Sequence, residues 1–595
     1  MIRQKINEKR KNMEPGRYSK TIILFLFLWL SSASAFEPEA VGANPDLVAL
    51  NAGWFPPTVY DVTDGVYVAV GYGRANPVLI EGDDGLIVID PGESTTSAEM
   101  VKAAYNEHLD DIFSRKPVKA IIYTHHHDCH INGASVFAGN DSPQVIAHET
   151  FEEHLFGPRE VVGQIFPIKV YRAVKYAGIP FQKDPGYFVN GGIFPFSIPG
   201  PSGYLPPTLT VGDKLETNIA GVNLTIIHAP AETTDINYVW LPDKKVIVQI
   251  GIFYKSFPAI NTLRGASHRD PLNYIASIDD MRTLNAEYMV LIHSGGGPIV
   301  GAENISSTLT NARDALQYVH DQTVRSMNQG LTPGEIIEVL ELPAHLAEDP
   351  NLQEYFGEMD RDVFQIFQQY MGWFTGKSRD IFPTSPREEA EKMAYLAGGV
   401  DELAEKAKAS LDEGDMKWAM IFSDHVLLLD PENGEARMVK NSAMLYLAEE
   451  TKNAQVRSYL LSEYLEETGQ IRIPFELGFS LMEENIVVYM PMETIFRIMA
   501  VSLNATKALD EEYAVGLSLS DDSESGDYGL YVRRGIIEVQ EGVVEDPKFI
   551  IATDSLTMKN LVLGKLNPEE AVSSGEVEIS GAGPEEFLGF MDLFK

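Results

Sequence analysis

Short apolar runs bounded by turn residues dominate the first half of the chain. From about residue 46 to 345 they alternate with Gly- and Pro-rich connections and with helical stretches. The clearest are GLIVID (85–90), VKAIIYT (118–124), VNLTIIHAP (222–230), KKVIVQI (244–250) and AEYMVLIHSG (286–295). Runs of this length with turn signals on both sides predict buried strands of a layered α/β fold.

The pattern changes to helical spacing from about residue 346 to 500. Apolar residues recur at helical intervals in two successive segments: Leu403, Ala407 and Leu411, then Trp418, Ile421 and Val426. Gly-Asp at 414–415 and Asp-Pro at 430–431 are turn signals between helices. This region therefore predicts helical hairpins suited to protein–protein contact or dimerisation.

The last part of the chain, from about residue 508, predicts a smaller α+β unit. YGLYVRRGIIEVQEG has strand alternation on both sides of a glycine turn, and KFIIATDS is a further strand. SLTMKNLVLGKL has the spacing of an amphipathic helix.

The length and net charge of the chain limit the number of domains and the kinds of function that we expect. A chain of 595 residues is expected to form about two to four domains, each with its own core. The formal net charge of −39 argues against nucleic-acid binding, because no basic stripe is present to replace phosphate counterions. The excess of acidic residues is typical of a highly soluble protein.

The N-terminus predicts an export signal. A basic segment precedes the apolar run TIILFLFLWL, and SSASA follows with an A-x-A cleavage pattern, so residues 1–35 are expected to be removed. The run is too short for a stable membrane span. We therefore expect a periplasmic or secreted protein, and its single cysteine excludes a disulfide within the chain.

The sequence HHHDCH, residues 125–130, follows the predicted strand VKAIIYT. Alternate residues of an extended segment point the same way, so His125 and His127 can face one ion. Cys129 and His130 begin a turn and can reach a second position. Imidazole and thiolate are both zinc ligands, which favours a metal site over a solvated histidine cluster.

These motifs resemble a known family. H-x-H-x-x-H, GLIVIDPG and IHSGGG are similar to the metallo-β-lactamase superfamily. INTLRGASHRDPLNYIASID (260–279), YMGWFTG (370–376), the segment 396–437 and LVLGKLNPEEAVSSGEVEISG (561–581) resemble alkylsulfatases, in the same order. The resemblance implies a multi-domain protein: an αββα metallo-β-lactamase sandwich (46–372), an all-α dimerisation domain (373–507) and an α+β sterol-carrier-like domain (508–595).

The resemblance also implies metal ligands. His125, His127 and Glu232 match the ligands of a first zinc, and His130 and His293 match ligands of a second. Two positions depart from the family pattern: Cys129 stands in place of an aspartate, and Gly251 stands in place of an acid that bridges both metals. We therefore expect one or two zinc ions, with Cys129 as a possible ligand of the second.

The same resemblance assigns the remaining chemistry. It implies ester hydrolysis by a metal-bound hydroxide, with Glu232 at the catalytic metal and Arg264 as the sulfate-binding residue. A structural ion pair is the alternative for Arg264. Arg269 could be structural or bind an anion. His268 could donate a proton to a leaving alcohol, but a solvated loop residue is the expectation. Arg361 stands where the family has a histidine.

The predicted function is zinc-dependent hydrolysis of alkyl sulfate esters to inorganic sulfate and an alcohol. The substrate would be a small amphiphilic anion, and the protein would be a homodimer formed through the helical domain. Two alternatives stay open on the sequence: a related hydrolase that cleaves another ester, such as a phosphate, lactone or thioester, and a non-catalytic amphiphile-binding dimer.

Overall fold

A computed structural model describes residues 41–157, 164–521 and 524–595. The predicted export signal, residues 1–35, lies outside the described residues. Within the described residues, no helix combines the length and apolar character needed to cross a membrane.

The first sheet contains seven strands in chain order: β1 Thr58–Thr63, β2 Val66–Val70, β3 Val78–Glu81, β4 Leu86–Ile89, β5 Val118–Ile122, β6 Gln144–His148 and β7 Leu209–Val211. Neighbours from β1 to β4 pair antiparallel, and neighbours from β4 to β7 pair parallel. All four residues of β4 are buried, as expected for an apolar run covered on both faces.

The second sheet contains six strands: β8 Lys214–Ile219, β9 Val222–His228, β10 Asn237–Leu241, β11 Val246–Gln249, β12 Tyr288–Leu291 and β13 Ile299–Val300. They lie in the order β13-β12-β11-β10-β9-β8, and β11 and β12 are the parallel pair. The predicted runs at 222–230, 244–250 and 286–295 thus supply β9, β11 and β12.

The two sheets pack face to face. Ile80, Ile89 and Ile122 of the first sheet share one core with Ile226 and Val248 of the second. The outer face of each sheet is covered by helices, so the unit has four layers. This confirms the predicted αββα sandwich.

Helices cover the outer faces of the sandwich and connect its strands. They span Pro45–Ala49, Thr95–His108, Ile112–Arg115, Asp128–Ile131, Ala134–Ala138, Phe151–Phe156, Phe166–Tyr176, Pro271–Arg282 and Ala302–Asn328. Val101 and Phe137 pack on the outside of the first sheet. Ile278 and Leu316 pack on the outside of the second.

The next region is helical, as predicted. Its helices span Pro333–Ile337, Ala344–Ala347, Met359–Met371, Pro386–Ala397, Val400–Asp412, Met416–Leu429, Gly434–Glu450, Ala454–Glu467, Glu484–Val487 and Met492–Ser502. Leu403 and Ala407 are buried, as their spacing predicts, but Trp418 is 43% exposed and Ala419 takes the buried position beside it. The apolar spacing therefore predicted the helix correctly, but it wrongly placed Trp418 on the buried face of that helix.

The C-terminal unit has five strands: β14 Glu512–Leu519, β15 Gly526–Arg533, β16 Ile536–Glu541, β17 Phe549–Thr553 and β18 Glu578–Ser580. Its helices span Ser555–Val562, Pro568–Ser574 and Pro584–Asp592. The predicted hairpin is β15–β16, in which Arg534 and Gly535 both have positive φ, as a tight turn requires. The predicted α+β character is confirmed.

Candidate metal centre

The candidate site lies where strands of both sheets end. Asp90 follows β4, the segment His125–His130 follows β5, Glu232 follows β9 and His293 follows β12. The carboxyl ends of strands are the usual place for a site in such sandwiches, because side chains on the following loops converge there.

The first donor cluster consists of His125, His127 and Glu232. Each offers one ligand atom, and the three atoms lie within 4.8 Å of one another. His125 Nε2 is 2.8 Å from His127 Nδ1, and His127 Nδ1 is 3.7 Å from Glu232 Oε1. The three residues predicted for the first metal therefore meet around one point.

Two side chains hold Glu232 in place. The hydroxyl of Tyr254 donates to Oε2, and Nη2 of the buried Arg269 donates to Oε1 at 2.7 Å. Burial opposes ionisation of Glu232, but the charge of Arg269 outweighs it, and the pKa of the carboxyl is lowered to about 2. Glu232 is thus a fixed carboxylate at neutral pH.

The second donor cluster consists of Cys129, His130 and His293, which are all buried and also within 4.8 Å of one another at their donor atoms. Nδ1 of His293 donates to the carbonyl of Arg74 at 2.7 Å, which leaves Nε2 as the ligand nitrogen. Nε2 of His130 is buried and has no hydrogen-bond partner among the described residues. A buried nitrogen of this kind fits a metal, which would supply the missing partner.

The protonation of the two clusters suits cation binding. Burial lowers the pKa of His125, His130 and His293 to about 3. Their imidazoles are neutral at pH 7 and can donate a lone pair. Burial raises the pKa of the Cys129 thiol, so a cation there would have to displace its proton. Two imidazoles with a carboxylate or a thiolate are ordinary zinc donor sets, so the residues fit this metal.

Gly251 lies against the first cluster, where the resemblance places the bridging acid. Its φ is +68°, and an added Cβ would lie 2.7 Å from Cδ1 of Ile236 and 3.1 Å from Cβ of Glu232. Any side chain at this position would be strained by the backbone and by its neighbours. Tyr254 lies three residues after Gly251 in the same segment, and its phenol donates a hydrogen bond to Glu232.

Arg264 reaches the first cluster from the T-L-R-G segment. Its Nη2 lies 3.2 Å from His127 Nε2, the ring nitrogen that faces away from His125 and Glu232. Tyr176 is also buried; burial raises the pKa of its hydroxyl, and the charge of Arg264 opposes that rise. This places a permanent cation at the open side of the cluster, where His127 keeps 19% of its side chain exposed.

The remaining expectations have separate outcomes. Arg269 is buried and donates to Glu232 and to the carbonyl of Ala259. These contacts agree with a structural role for Arg269 rather than anion binding. His268 is exposed, and its Nδ1 is 2.5 Å from the side-chain amide of Gln365. Arg361 pairs with Glu358 at 2.8 Å.

Several site residues were missed by sequence reasoning. Asp90 accepts from the backbone and hydroxyl of Thr124, and it lies 2.8 Å from Nδ1 of His130. Arg74 pairs with Asp128 at 2.5 Å, and Asp128 is not among the donors of either cluster. Asp90 could have been found from its position at the end of GLIVID. Arg74 and Tyr254 carry no comparable signal.

Comparisons with known proteins agree with this geometry. Three family models match in chain order: the metallo-beta-lactamase superfamily at residues 70–293, alkyl sulfatase dimerisation at 332–469 and alkyl sulfatase C-terminal at 480–595. The exact limits predicted for the domains, at 372/373 and 507/508, stay predictions.

Curated relatives and a solved structure extend over most of the chain. A linear primary-alkylsulfatase from Pseudomonas sp. is 31% identical over 530 residues, 87% of this chain and 98% of that protein. An alkyl/aryl-sulfatase from Saccharomyces cerevisiae is 26% identical and matches 95% of this chain and 88% of that protein. The structure of a stereoselective inverting sec-alkylsulfatase from Pseudomonas sp. has a TM-score of 0.79 at 22% identity, over 96% of this chain and 88% of that one.

The sandwich and the donor clusters at its strand ends define a metallo-hydrolase of the metallo-β-lactamase superfamily. Within that superfamily the chain belongs to the alkylsulfatases, which are sulfuric ester hydrolases. The metal-ligand and catalytic roles of individual residues remain predictions.

Proposed function

We propose that this protein is a zinc-dependent hydrolase of alkyl sulfate esters that releases inorganic sulfate and an alcohol. One observation carries the proposal: the guanidinium of Arg264 lies 3.2 Å from His127, on the exposed side of a cluster of zinc-type donors. A planar guanidinium can donate two parallel hydrogen bonds to a tetrahedral oxyanion, which a sulfate ester presents.

His125, His127 and Glu232 would hold one zinc ion, and Cys129, His130 and His293 would hold a second. A bound zinc ion supplies Lewis-acid chemistry: it lowers the pKa of water and offsets anionic charge that develops on the ester. The protein's own contribution is to fix the donors. Arg269 and Tyr254 orient Glu232, and the carbonyl of Arg74 orients His293.

The substrate is bound by Arg264 in this proposal, while Arg361 has no part in proton transfer. A guanidinium keeps its proton at every physiological pH, and Arg361 is already paired with Glu358. Arg361 thus departs from the family pattern, which has a histidine at this position.

We also infer a homodimer formed through the helical region. Large apolar side chains lie exposed there, including Phe382 and Tyr395, each 82% exposed, and Leu396, 78% exposed. An exposed apolar surface of this kind usually marks a protein–protein contact. Light scattering should give twice the chain mass for the wild type and a monomer for Leu396→Glu.

Location outside the cytoplasm is proposed from the N-terminal sequence alone. Cell fractionation and N-terminal sequencing of the mature protein test it. A mature chain that begins near Phe36 would support export, and an intact N-terminus in the cytoplasm would contradict it.

The decisive experiment compares two esters with the same alkyl chain. Purified, zinc-loaded protein is incubated with dodecyl sulfate and with dodecyl phosphate, and the released anion is measured. We expect sulfate release, lost in Arg264→Ala but kept in His345→Gln, an exposed control. Phosphate release without sulfate release would indicate a related hydrolase. Binding of dodecyl sulfate without turnover would indicate the non-catalytic alternative.

A further inference from the structure

A third group of donor side chains lies beside the first cluster but is separate from it. It consists of His126, His154 and Asp235, whose donor atoms all lie within 4.8 Å of one another. Nothing in the proposed hydrolysis uses these residues. They come from three segments: the loop after β5, the helix Phe151–Phe156 and the loop after β9.

The three residues form a tight, mostly buried group. Nδ1 of His126 is 3.0 Å from Oδ1 of Asp235, while the other oxygen of Asp235 accepts from the backbone N–H of His126 at 2.9 Å. His126 is 6% exposed and Asp235 is fully buried. The ring of His154 stacks on that of His126 with centroids 5.4 Å apart.

Further histidines surround the group. His148 and His228 stack with ring centroids only 4.0 Å apart, and the carboxylate of Asp235 acts on His148. Thr234 links the two sets, since its hydroxyl is 2.9 Å from His154 Nε2 and its carbonyl accepts from His228 Nε2 at 2.7 Å. A second pair of imidazoles thus lies next to the group that contains Asp235.

The hydrogen bonds between His126 and Asp235 would by themselves fix the loop after β5. They do not explain why a third segment brings His154 into the same group, nor why a second pair of imidazoles lies next to it. Two imidazoles and one carboxylate within this distance are a donor set for zinc and neighbouring divalent transition metals.

We propose that His126, His154 and Asp235 form a third cation site, suited to zinc and distinct from both catalytic clusters. His126 is next to His127 in the chain, and Asp235 lies three residues after Glu232. A cation bound to His126 and Asp235 would therefore hold the loops of His127 and Glu232 in fixed positions. The site would therefore support the first cluster without contacting the substrate.

The test is the zinc content of the full-length protein. Metal-free protein is reloaded with zinc, and bound zinc per chain is measured by mass spectrometry for wild type, His154→Gln and the exposed control His345→Gln. We expect His154→Gln to hold one zinc fewer than the other two proteins. Equal zinc content in all three would overturn the proposal.

Two further measurements separate the third site from the catalytic clusters and from a folding defect. With cobalt, thiolate charge-transfer absorption reports the Cys129 cluster, and it should be the same in wild type and His154→Gln. Added zinc should also raise the melting temperature of wild type more than that of His154→Gln, since a bound ligand stabilises the folded state. Loss of the thiolate band in His154→Gln, or equal zinc-induced shifts, would contradict a separate site.

Discussion

The two predicted metal clusters lie side by side, yet they differ in exposure and charge. The first, at His125, His127 and Glu232, is partly exposed. Two positively charged side chains contact it: Arg264 at His127 and Arg269 at Glu232. The second, at Cys129, His130 and His293, is closed, with its His130 side chain fully buried. Among its donor groups it has a thiol, where the first cluster has a carboxylate.

This difference separates two tasks that a metal centre can perform. A partly exposed cluster beside the guanidinium of Arg264 can receive an anionic substrate. A buried cluster of neutral donors can hold a metal but offers the substrate little access. We therefore propose that the substrate binds at the first cluster, and we expect variants of the two clusters to behave differently.

The largest effect is expected for Glu232→Ala. It removes a predicted ligand and leaves the buried Arg269 without its partner, which costs about 3–5 kcal/mol of unfolding free energy. Sulfate release should fall to background. The variant Glu232→Gln keeps the volume and separates the loss of charge from the loss of packing. If both variants kept their activity, Glu232 would not be needed for hydrolysis, and its predicted role would be wrong.

Arg264→Ala should lower kcat/KM for dodecyl sulfate by about 100- to 1000-fold, because it removes a donor aimed at anionic charge. Zinc content should stay unchanged, since Arg264 is not a ligand. Arg264→Lys keeps the charge but not the paired donors, so only partial recovery is expected. A loss of zinc in Arg264→Ala would show a structural role instead.

Cys129→Ser tests the closed cluster. We expect at least about 10-fold weaker zinc binding at one site, by analogy with the losses seen when groups that support a metal are removed. The cobalt–thiolate absorption should disappear, while kcat should fall less than in Glu232→Ala. If kcat falls as far as it does in Glu232→Ala, the two clusters act as one unit and the comparison fails.

Tyr254→Phe removes one hydrogen bond from Glu232 and leaves Arg269 in place. A bond to a charged group contributes about 1.5–3 kcal/mol, so we expect a loss of about 10- to 100-fold in kcat/KM. Val59→Ala, a substitution of a half-buried residue of the first sheet, serves as a control for general destabilisation. Unchanged kinetics in Tyr254→Phe would show that Arg269 alone orients the carboxylate.

The last prediction concerns the stability of the metal-free protein against pH. Folding lowers the pKa of His125, His130 and His293 to about 3, so the unfolded chain binds more protons below about pH 6.5. Stability is then full above that pH and falls toward pH 3, by at most about 1.4 kcal/mol per histidine and pH unit.

Melting temperatures between pH 7 and 4 measure this slope. His125→Gln and His293→Gln should each reduce this pH dependence by the contribution of one histidine. The two reductions should be similar, because the histidines of both clusters have lowered pKa values although the clusters differ in exposure. A melting temperature that does not depend on pH in this range would contradict the lowered pKa values.

Local patterns were enough to predict much of the fold. The strands β4, β5, β9, β11 and β12 coincide with apolar runs, since a buried strand needs an uninterrupted apolar segment. The meeting of His125 with His127 follows from their spacing. The resemblance supplied Glu232 and His293, which no local pattern brings together.

Long-range contacts and departures from periodicity could not be predicted. The phenol of Tyr254 reaches Glu232 because the backbone turns at Gly251, and the sequence IGIFYKS shows only that an acid is missing. His126 was passed over because alternation points it away from its neighbours, and its partner Asp235 is 109 residues away. Trp418 keeps the helical interval but falls on the solvent side of its helix.

The conformation of Gly251 also limits how this site can change in evolution. A single substitution to glutamate would supply a carboxylate beside Glu232, but its Cβ would collide with Ile236 on a backbone with φ of +68°. Tyr254 and Arg269 already occupy both oxygens of Glu232. An acid at this position would therefore require the Ile236 side chain to shift and would hold a left-handed backbone that costs about 1–2 kcal/mol, so we expect it to destabilise the fold unless a neighbouring change accompanies it.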